Sequence, residues 1–223
     1  MDPVELTKIR VLVVDDDALV RSALVLMLGG QADIEVVGEA ADGAEGVALT
    51  DALSPDVVLM DIRMPGTSGL TATRALRSRA DGPAVLVLTT FDADDYVVGA
   101  LASGASGFLL KDTPPAQIVE SVRRVAAGEA IISPAATRTL LDRLQRDSTL
   151  ERLTEAGTLM ATLTARELEV ARCVGRGITN AEIASELHLS VPTVKAHVSK
   201  LMEKLQVTNR VQIALRVHDA GAE

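Results

Sequence analysis

The sequence predicts an α/β domain built on a parallel sheet, followed by a smaller all-helical domain. Three observations support this prediction. Short apolar segments alternate with helical segments, five of each, along the first part of the chain, which is typical of a parallel sheet covered by helices on both faces. The last part shows only helical periodicity and helix caps. The net charge of −9 is also uneven, because residues 1–130 carry −10 and residues 161–223 carry +1. Such asymmetry indicates two domains with different partners.

The composition excludes several classes of protein. Hydrophobic residues make up 48% of the 223 residues, aromatic residues 1%, and there is no Trp, so we expect an aliphatic core. A single cysteine excludes a disulfide framework and a cysteine-based metal cluster. No apolar run approaches the ~20 residues of a membrane span, and the N-terminus lacks the pattern of a signal peptide. We therefore expect a cytoplasmic protein without a membrane partner.

The predicted strands are short apolar runs bounded by turn signals. They are Ile9–Val14, Ile34–Val37, Val57–Met60, Val85–Leu88 and Gly107–Leu110. The helices between and after them have their apolar centres in 20–28, 44–53, 70–76, 96–101 and 118–126. We expect strands one, three, four and five to be neighbours, in a flavodoxin-like order.

Polar side chains follow four of these strands. They are Asp15, Asp16, Asp61, Thr89 and Lys111. The carboxyl ends of parallel strands share one edge of the sheet, which is where ligands of open α/β sheets bind. Three neighbouring carboxylates repel one another, and a hard cation such as Mg²⁺ relieves that repulsion. A carboxylate can also attack phosphorus, with an ammonium and a hydroxyl contacting the phosphoryl oxygens. The pattern predicts a magnesium and phosphoryl site.

Each residue also has a simpler interpretation. An aspartate at a strand end is often a turn former or a helix cap, and we interpret Asp17 as a cap. Lys111 could be a solvated charge, Thr89 an ordinary strand residue and Phe108 a core residue. For the three carboxylates together, the functional interpretation is favoured because acids at a partly buried edge are costly without a cation.

Four segments carry a family resemblance. They are 11–17 (VLVVDDD), 59–65 (LMDIRMP), 88–90 (LTT) and 104–111 (GASGFLLK). With these in order, residues 7–128 resemble the receiver domain of bacterial two-component response regulators. The sequence departs from many receivers at Asp17, where relatives of this subclass often have His, and at Asp112, where many receivers have Pro after a cis bond. The resemblance therefore does not imply a cis peptide bond after Lys111.

The resemblance implies a role for each residue at the predicted edge. It implies phosphorylation of Asp61, and Mg²⁺ binding by Asp15, Asp16, Asp61 and the backbone carbonyl of Arg63. It further implies that Thr89 and Phe108 form a switch pair and that Lys111 contacts the phosphoryl group.

Residues 131–160 are interpreted as a partly helical linker between domains at 1–130 and 161–223, although this segment could extend either domain or pair with a second copy. In the last domain, Thr164 and Thr179 each precede a Glu by three residues, which is the capping-box pattern at a helix start. Ser190 and Asn209 precede two further helices. Two short helices joined by a tight turn predict a helix-turn-helix.

The helix after Ser190 has its apolar residues in one arc, while small, polar and lysine side chains occupy the other faces. This outer face suits the DNA major groove, although a solvated face would look similar. Segments 163–167 (LTARE), 180–184 (NAEIA) and 193–198 (TVKAHV) resemble the four-helix DNA-binding domain of LuxR-type regulators. The resemblance implies that the last helix pairs two subunits, that Thr193 contacts backbone, and that four residues face bases or phosphates: Lys195, Ala196, Ser199 and Lys200.

The whole chain thus resembles a response regulator of the NarL/FixJ type, and not an enzyme. This implies a cognate sensor histidine kinase, a homodimer formed on activation and double-stranded DNA as partners. Two alternatives stay open at this stage. Asp15 and Asp17 could be the nucleophile and acid of an aspartate-dependent phosphatase, but Leu19 stands where that chemistry prefers Thr. The second alternative is a transcription factor that works without phosphorylation, against which the complete acidic set argues.

Overall fold

The computed structural model describes residues 8–79, 82–90, 94–131 and 156–221. Its first part is a five-stranded sheet in the order β2-β1-β3-β4-β5, with every pair parallel. The strands are β1 (Ile9–Val14), β2 (Ile34–Ala40), β3 (Val57–Met60), β4 (Ala84–Thr89) and β5 (Gly107–Leu110). The helices are α1 (Ala18–Gly29), α2 (Gly43–Leu53), α3 (Gly69–Arg77), α4 (Asp94–Ala102) and α5 (Pro115–Ala126). The predicted flavodoxin-like order is confirmed.

The sheet is buried on both faces, as its uninterrupted apolar strands predict. All four residues of β3 are buried. On one face, Leu28 of α1 and Val122 of α5 belong to the same apolar cluster. On the other face, Leu76 of α3 and Leu101 of α4 belong to a second cluster. This sandwich holds the strand ends rigidly in place, so polar residues that follow the strands start from fixed positions.

Strand β2 is longer than the sequence indicated, since it ends at Ala40 and not at Val37. Its pairing with β1 shifts register between Val11 and Leu12, and the ladder continues beyond the shift. Gly38 lies at this irregularity, where an added Cβ would approach Leu53 Cδ1 to 2.7 Å. The glycine therefore reflects close packing inside a bulged strand that continues past the predicted end at Val37.

The last part of the chain is helical, as predicted. It contains α6 (Ala165–Gly175), α7 (Asn180–Glu186), α8 (Val191–Lys204) and α9 (Arg210–Asp219). Thr164 and Thr179 both form complete capping boxes, and the Ser190 side chain caps α8. Because these caps satisfy amide groups that the first helical turn leaves unpaired, they fix where each helix begins.

The predicted linker, 131–160, lies mostly outside the described residues. At its two ends, Ile131 pairs with Gly107 of β5, and Met160 belongs to the apolar core of the helical domain. Within the part of the chain that the structure describes, none of the helices combines the length and the apolar character that crossing a bilayer requires.

Candidate functional site

Three aspartates meet where β1 and β3 end. These strands are neighbours, with Val14 opposite Met60, so the residues that follow them are adjacent. The backbone N–H of Asp61 donates to the carbonyl of Val14 at 2.9 Å. Carboxylate oxygens of Asp15, Asp16 and Asp61 all lie within 4.8 Å of one another. Asp15 and Asp61 are 2% and 6% exposed, whereas Asp16 is exposed at the rim. The fold thus assembles the predicted acidic cluster.

Lys111, which follows β5, reaches both buried carboxylates. Its Nζ lies 2.6 Å from Asp15 Oδ2 and 3.0 Å from Asp61 Oδ2. The other oxygen of Asp61 accepts the N–H of Ile62 at 2.7 Å. Burial is the largest influence on Asp15 and raises its pKa, although Lys111 opposes the shift. Burial lowers the pKa of Lys111, but the two carboxylates outweigh burial and leave that pKa raised. The ammonium therefore stays charged, and three carboxylates against one ammonium leave room for a further cation.

The other predicted residues of this edge lie at different depths. Thr89 is the last residue of β4 and is 1% exposed, and its carbonyl accepts the N–H of Lys111 at 2.8 Å. Phe108 is 1% exposed and lies within the apolar cluster beneath α3 and α4. Arg63 is exposed, two residues beyond Asp61. Asp17 caps α1 by accepting the N–H of Leu19 at 2.8 Å, as the cap interpretation expected.

The outer face of α8 is exposed at all five residues that the sequence singled out: Thr193, Lys195, Ala196, Ser199 and Lys200. The opposite face is buried through Val194, Val198 and Leu201. This division of the helix agrees with the predicted arc. Short side chains beside two lysines leave a surface on which a nucleic-acid backbone could approach closely.

A buried carboxylate attaches α8 to the start of α6. Glu167 is 2% exposed and accepts from Lys204 Nζ at 2.6 Å and from the Thr164 N–H at 2.8 Å. These bonds, the one from Lys204 being the largest influence, lower the pKa of Glu167 to about 2. Lys200 Nζ lies 4.0 Å from the other Glu167 oxygen. The carboxylate therefore fixes the orientation of the helix and the base of its lysine-bearing face.

Part of this face looks toward the α/β domain. Lys195 and Ser199 line a cavity of about 350 Å³ together with Arg77 and Pro83 of that domain. Lys195 and Ser199 are exposed to solvent, but they lie opposite the α/β domain in this arrangement of the two domains.

The sequence did not predict the residues that join the two domains. Asn180, Asn209 and Gln212 donate side-chain hydrogen bonds to backbone carbonyls of the α/β domain. From the sequence, Asn209 was recognised only as the residue before the last helix. Contacts between separately folding domains leave no periodicity or spacing along the chain, so no sequence signal marked these amides.

An α/β domain with a carboxylate and lysine pocket, joined to a helix-turn-helix domain, defines a class: a regulator that couples phosphoryl chemistry to DNA binding. The family comparisons specify the class. Residues 11–123 match the response regulator receiver domain, and residues 161–217 match the bacterial regulatory proteins of the luxR family. The chain belongs to the two-component response regulators that join a receiver domain to a LuxR-type DNA-binding domain. It is a DNA-binding transcription regulator, and its family consists of regulators rather than enzymes.

Curated relatives match nearly the whole chain. The transcriptional regulatory protein LiaR of Bacillus subtilis is 40% identical over 210 residues, which cover 94% of this chain and 97% of LiaR. The response regulator VraR of Staphylococcus aureus is 36% identical over 207 residues, 93% of this chain and 95% of VraR. A nitrate/nitrite response regulator homologue of Haemophilus influenzae is 36% identical over 92% of this chain and 93% of its own.

Solved structures agree with this assignment. The response regulator ChrA of a haem-sensing two-component system is 35% identical, with a TM-score of 0.53 over 98% of this chain and 100% of that one. The receiver domain of the putative regulator NarL of Mycobacterium tuberculosis is 43% identical, with a TM-score of 0.53 over 55% of this chain and 99% of its own. Membership of the family implies a sensor kinase and DNA as partners.

Proposed function

We propose that a partner histidine kinase phosphorylates Asp61 and that this modification controls DNA binding by α8. One observation carries the proposal: in a chain with a DNA-binding domain, a 6%-exposed carboxylate lies 3.0 Å from the Lys111 ammonium and beside two further acids. A structural ion pair needs one carboxylate. The additional acids are costly unless the site handles a cation and a phosphoryl group.

The chemical step is a transfer of a phosphoryl group between two nucleophiles. A carboxylate oxygen of Asp61 forms a bond to phosphorus while the bond from phosphorus to a nitrogen of the kinase's phosphohistidine breaks. The imidazole leaves with that electron pair, and the product is an aspartyl phosphate. Lys111, already within 3.0 Å of Asp61 Oδ2, is placed to neutralise a phosphoryl oxygen. Thr89 would donate its hydroxyl to another oxygen.

We assign Mg²⁺ to the acidic cluster, with Asp15, Asp16, Asp61 and the backbone carbonyl of Arg63 as its protein ligands. The donor set fits the ion, because all are oxygens and three carboxylates converge within 4.8 Å. When bound, Mg²⁺ neutralises charge on the phosphoryl oxygens. Asp16 is exposed, so its side chain can bind the ion without disturbing the core.

Phosphorylation then has to change the surface of the receiver. We propose that the Thr89 hydroxyl moves toward the phosphoryl group and leaves a space into which the Phe108 ring can turn. Thr89 and Phe108 are the proposed switch pair. Phe108 packs in the same apolar cluster as Leu101 of α4. Phosphoryl contacts that exist only in one of two receiver states bias the equilibrium toward that state.

We propose that the DNA-bound form is a homodimer that contacts DNA through Thr193, Lys195, Ala196, Ser199 and Lys200. The last helix, α9, would pair the two subunits on paired half-sites. With a domain charge of only +1, a monomer gains little from counterion release, so dimerisation has to contribute to affinity. Because Lys195 and Ser199 line the cavity against the receiver, we propose that activation also moves the domains apart. We place this regulator in the cytoplasm, where it can reach DNA.

Phosphodonor labelling tests the assignment of Asp61. Acetyl phosphate or a phosphoramidate with Mg²⁺ should label the full chain, and peptide mapping should locate the acyl phosphate on Asp61. The Asp61→Asn variant should show only background labelling. Labelling of that variant at the wild-type level would overturn the assignment, and a wild type that is never labelled would favour a regulator that works without phosphorylation.

A further inference from the structure

The two domains meet at the end of the sheet opposite to Asp61. The N–H of Ser106, just before β5, donates to Val85 at the start of β4, so the α4–β5 turn lies at the amino-terminal edge of the sheet. Into this turn reaches Asn209, which is 2% exposed. Its side-chain amide donates to the carbonyls of Leu101, at 3.0 Å, and Ala105, at 2.9 Å.

Asn209 serves two domains at once. While its Nδ2 donates to the receiver, its Oδ1 accepts the N–H of Gln212 at 2.8 Å and caps α9. Gln212 also bonds to both domains. Its Nε2 donates to the Leu101 carbonyl at 2.9 Å, and its Oε1 accepts the N–H of Thr208 at 2.8 Å. In both side chains, the oxygen accepts a hydrogen bond within the DNA-binding domain, and the nitrogen donates a hydrogen bond to the receiver.

A third amide repeats this arrangement at α5. The Nδ2 of Asn180 donates to the carbonyl of Ala127, the C-cap of α5, at 3.0 Å. Its Oδ1 accepts from Arg210 of its own domain at 2.6 Å. The acceptors at α4 and α5 are carbonyls at helix ends, which have no partner within their own helix or share a turn bond. The DNA-binding domain thus supplies hydrogen-bond donors to carbonyl groups at the carboxyl ends of two receiver helices.

Apolar and steric contacts accompany these bonds. Val211 of α9 is 6% exposed and belongs to the apolar cluster of the receiver, together with Leu101 and Ala105. At Gly104, where φ is +97°, an added Cβ would lie 2.6 Å from Thr208 Oγ1, so the surfaces touch. The contact surface therefore combines neutral amide donors, carbonyls and one apolar side chain with one charged donor, the Arg77 guanidinium of the receiver, which donates to the Thr208 carbonyl.

We infer that Asn180, Asn209 and Gln212 form an amide latch that holds the DNA-binding domain against the receiver and keeps Lys195 facing the cavity. The inference rests on the proposed function in one respect, namely that phosphorylation at Asp61 releases the latch. Helix α4 connects the two events, since it begins after β4 near the carboxyl edge and its last turn supplies the Leu101 carbonyl. A small displacement of α4 misaligns two of the three latch amides.

Neutral amide–carbonyl bonds suit a reversible contact. Water replaces them when the domains separate, so their net contribution to closure is modest. Turning an amide into a carboxylate has a larger effect, because the new charge of the Asn209→Asp variant would face the Leu101 and Ala105 carbonyl oxygens that the Asn209 amide now contacts. Each latch side chain has such an isosteric acid, which removes the interdomain donor and retains the oxygen that acts within the domain.

Amide-to-acid variants of the full-length chain test the latch. Asn209→Asp keeps a good N-cap, because Asp and Asn cap equally well. Without phosphorylation, this variant and Gln212→Glu should bind target DNA at least about tenfold more tightly than the wild type. Asn209→Ser, which caps but adds no charge, should act in the same direction. Gln206→Glu, exposed and in the same domain, is the control for the added charge and should not gain affinity.

Domain separation provides the second readout. Small-angle scattering should show a larger radius of gyration for the latch variants than for the wild type and the Gln206→Glu control. If Asn209→Asp fails to fold by circular dichroism, Gln212→Glu decides, because it leaves the Asn209 cap unchanged and keeps the side-chain oxygen that accepts the Thr208 N–H. Latch variants that match the control in both DNA affinity and radius overturn the inference.

Combining each latch variant with Asp61→Asn separates this inference from the proposed function. The double variants should still bind DNA tightly, since opening no longer requires phosphorylation. If the latch variants are open and active while phosphorylation of the wild type changes nothing, the latch stands and the proposed control by Asp61 fails. If the wild type responds to phosphorylation but the latch variants do not differ from the control, the latch is wrong and the proposed function stands.

Discussion

The proposed phosphoryl pocket and the proposed DNA-binding helix α8 are both assembled in this structure, but only the helix has part of its functional face against the other domain. Asp16 is exposed at the pocket rim, and Lys111 already contacts the two buried carboxylates. Helix α8 is equally complete, with its caps and its Glu167 anchor in place, yet Lys195 lines a cavity against the receiver. The difference indicates that regulation acts on the arrangement of two finished domains, and not on the folding of either site.

The chemistry of the two surfaces fits this division. The pocket relies on ionised groups, which are strong where they are buried and paired but are poorly suited to being exposed and covered repeatedly. The contact between the domains relies mainly on hydrogen bonds to carbonyls, from neutral amides and from the Arg77 guanidinium, which water can replace at modest cost. Val211 adds one apolar contact.

Asp16→Ala should have the largest effect, and only in the pocket. Removing a proposed metal ligand should weaken Mg²⁺ binding by about 10–100-fold, at least the loss caused by removing an outer-sphere partner. Because Asp16 is exposed, the receiver should remain folded. Calorimetric Mg²⁺ titration measures the effect, and Asp112→Ala, which removes an exposed acid near Lys111, is the matched control. An unchanged Mg²⁺ affinity would show that Asp16 is not a metal ligand, and an altered DNA affinity of the unphosphorylated chain would show that the pocket and the DNA-binding domain are not independent.

Lys195→Ala should affect only DNA binding by the phosphorylated protein. If Lys195 contacts a guanine, specific binding should weaken by about 1–3 kcal/mol and preference should relax at one position. If it contacts a phosphate, the loss should be similar for all sequences and the salt slope should fall by about one. Anisotropy titrations at several salt concentrations distinguish these cases. DNA affinity unaffected by both Lys195→Ala and Lys200→Ala would show that α8 is not the reading helix.

Glu167→Gln should have a smaller effect, confined to the stability of the DNA-binding domain. The variant loses charged hydrogen bonds, so the free energy of unfolding should fall by about 1–3 kcal/mol at neutral pH. In the folded wild type, the pKa of Glu167 is about 2 against an ordinary 4.5. Its contribution is therefore complete above pH 4.5 and is lost as the pH falls toward 2.

Urea unfolding at pH 7, 4 and 2.5 checks this expectation. The wild type should lose stability across that interval more steeply than Glu167→Gln, and the difference between the two should be smallest at the lowest pH. Glu169→Gln, on the exposed side of the same helix, is the control and should change little. Parallel pH curves for the wild type and Glu167→Gln would mean that this carboxylate does not anchor α8.

The sequence predicted most of the fold because its signals are local. Apolar runs ending in Asp15 and Asp61 specify buried strands, and the Thr164 and Thr179 boxes specify helix starts. The pocket followed from topology, since parallel strands bring their ends to one edge. What could not be predicted is non-local: the bulge that extends β2 past Gly38, and the docking of Asn209 into the α4–β5 turn. Both depend on packing between segments that are distant in the sequence, and no periodicity or spacing along the chain marks such contacts.

The most direct test of the account measures DNA affinity before and after phosphorylation, for the full-length wild type and for Asp61→Asn in parallel. With Mg²⁺ and a small phosphodonor, the wild type should bind a two-half-site target with a spacing of roughly 10 base pairs more tightly than before, and should do so as a dimer. Asp61→Asn should keep the weak affinity of the resting protein. Equal DNA affinity of the wild type before and after full labelling of Asp61, or the same gain in Asp61→Asn, would contradict the account.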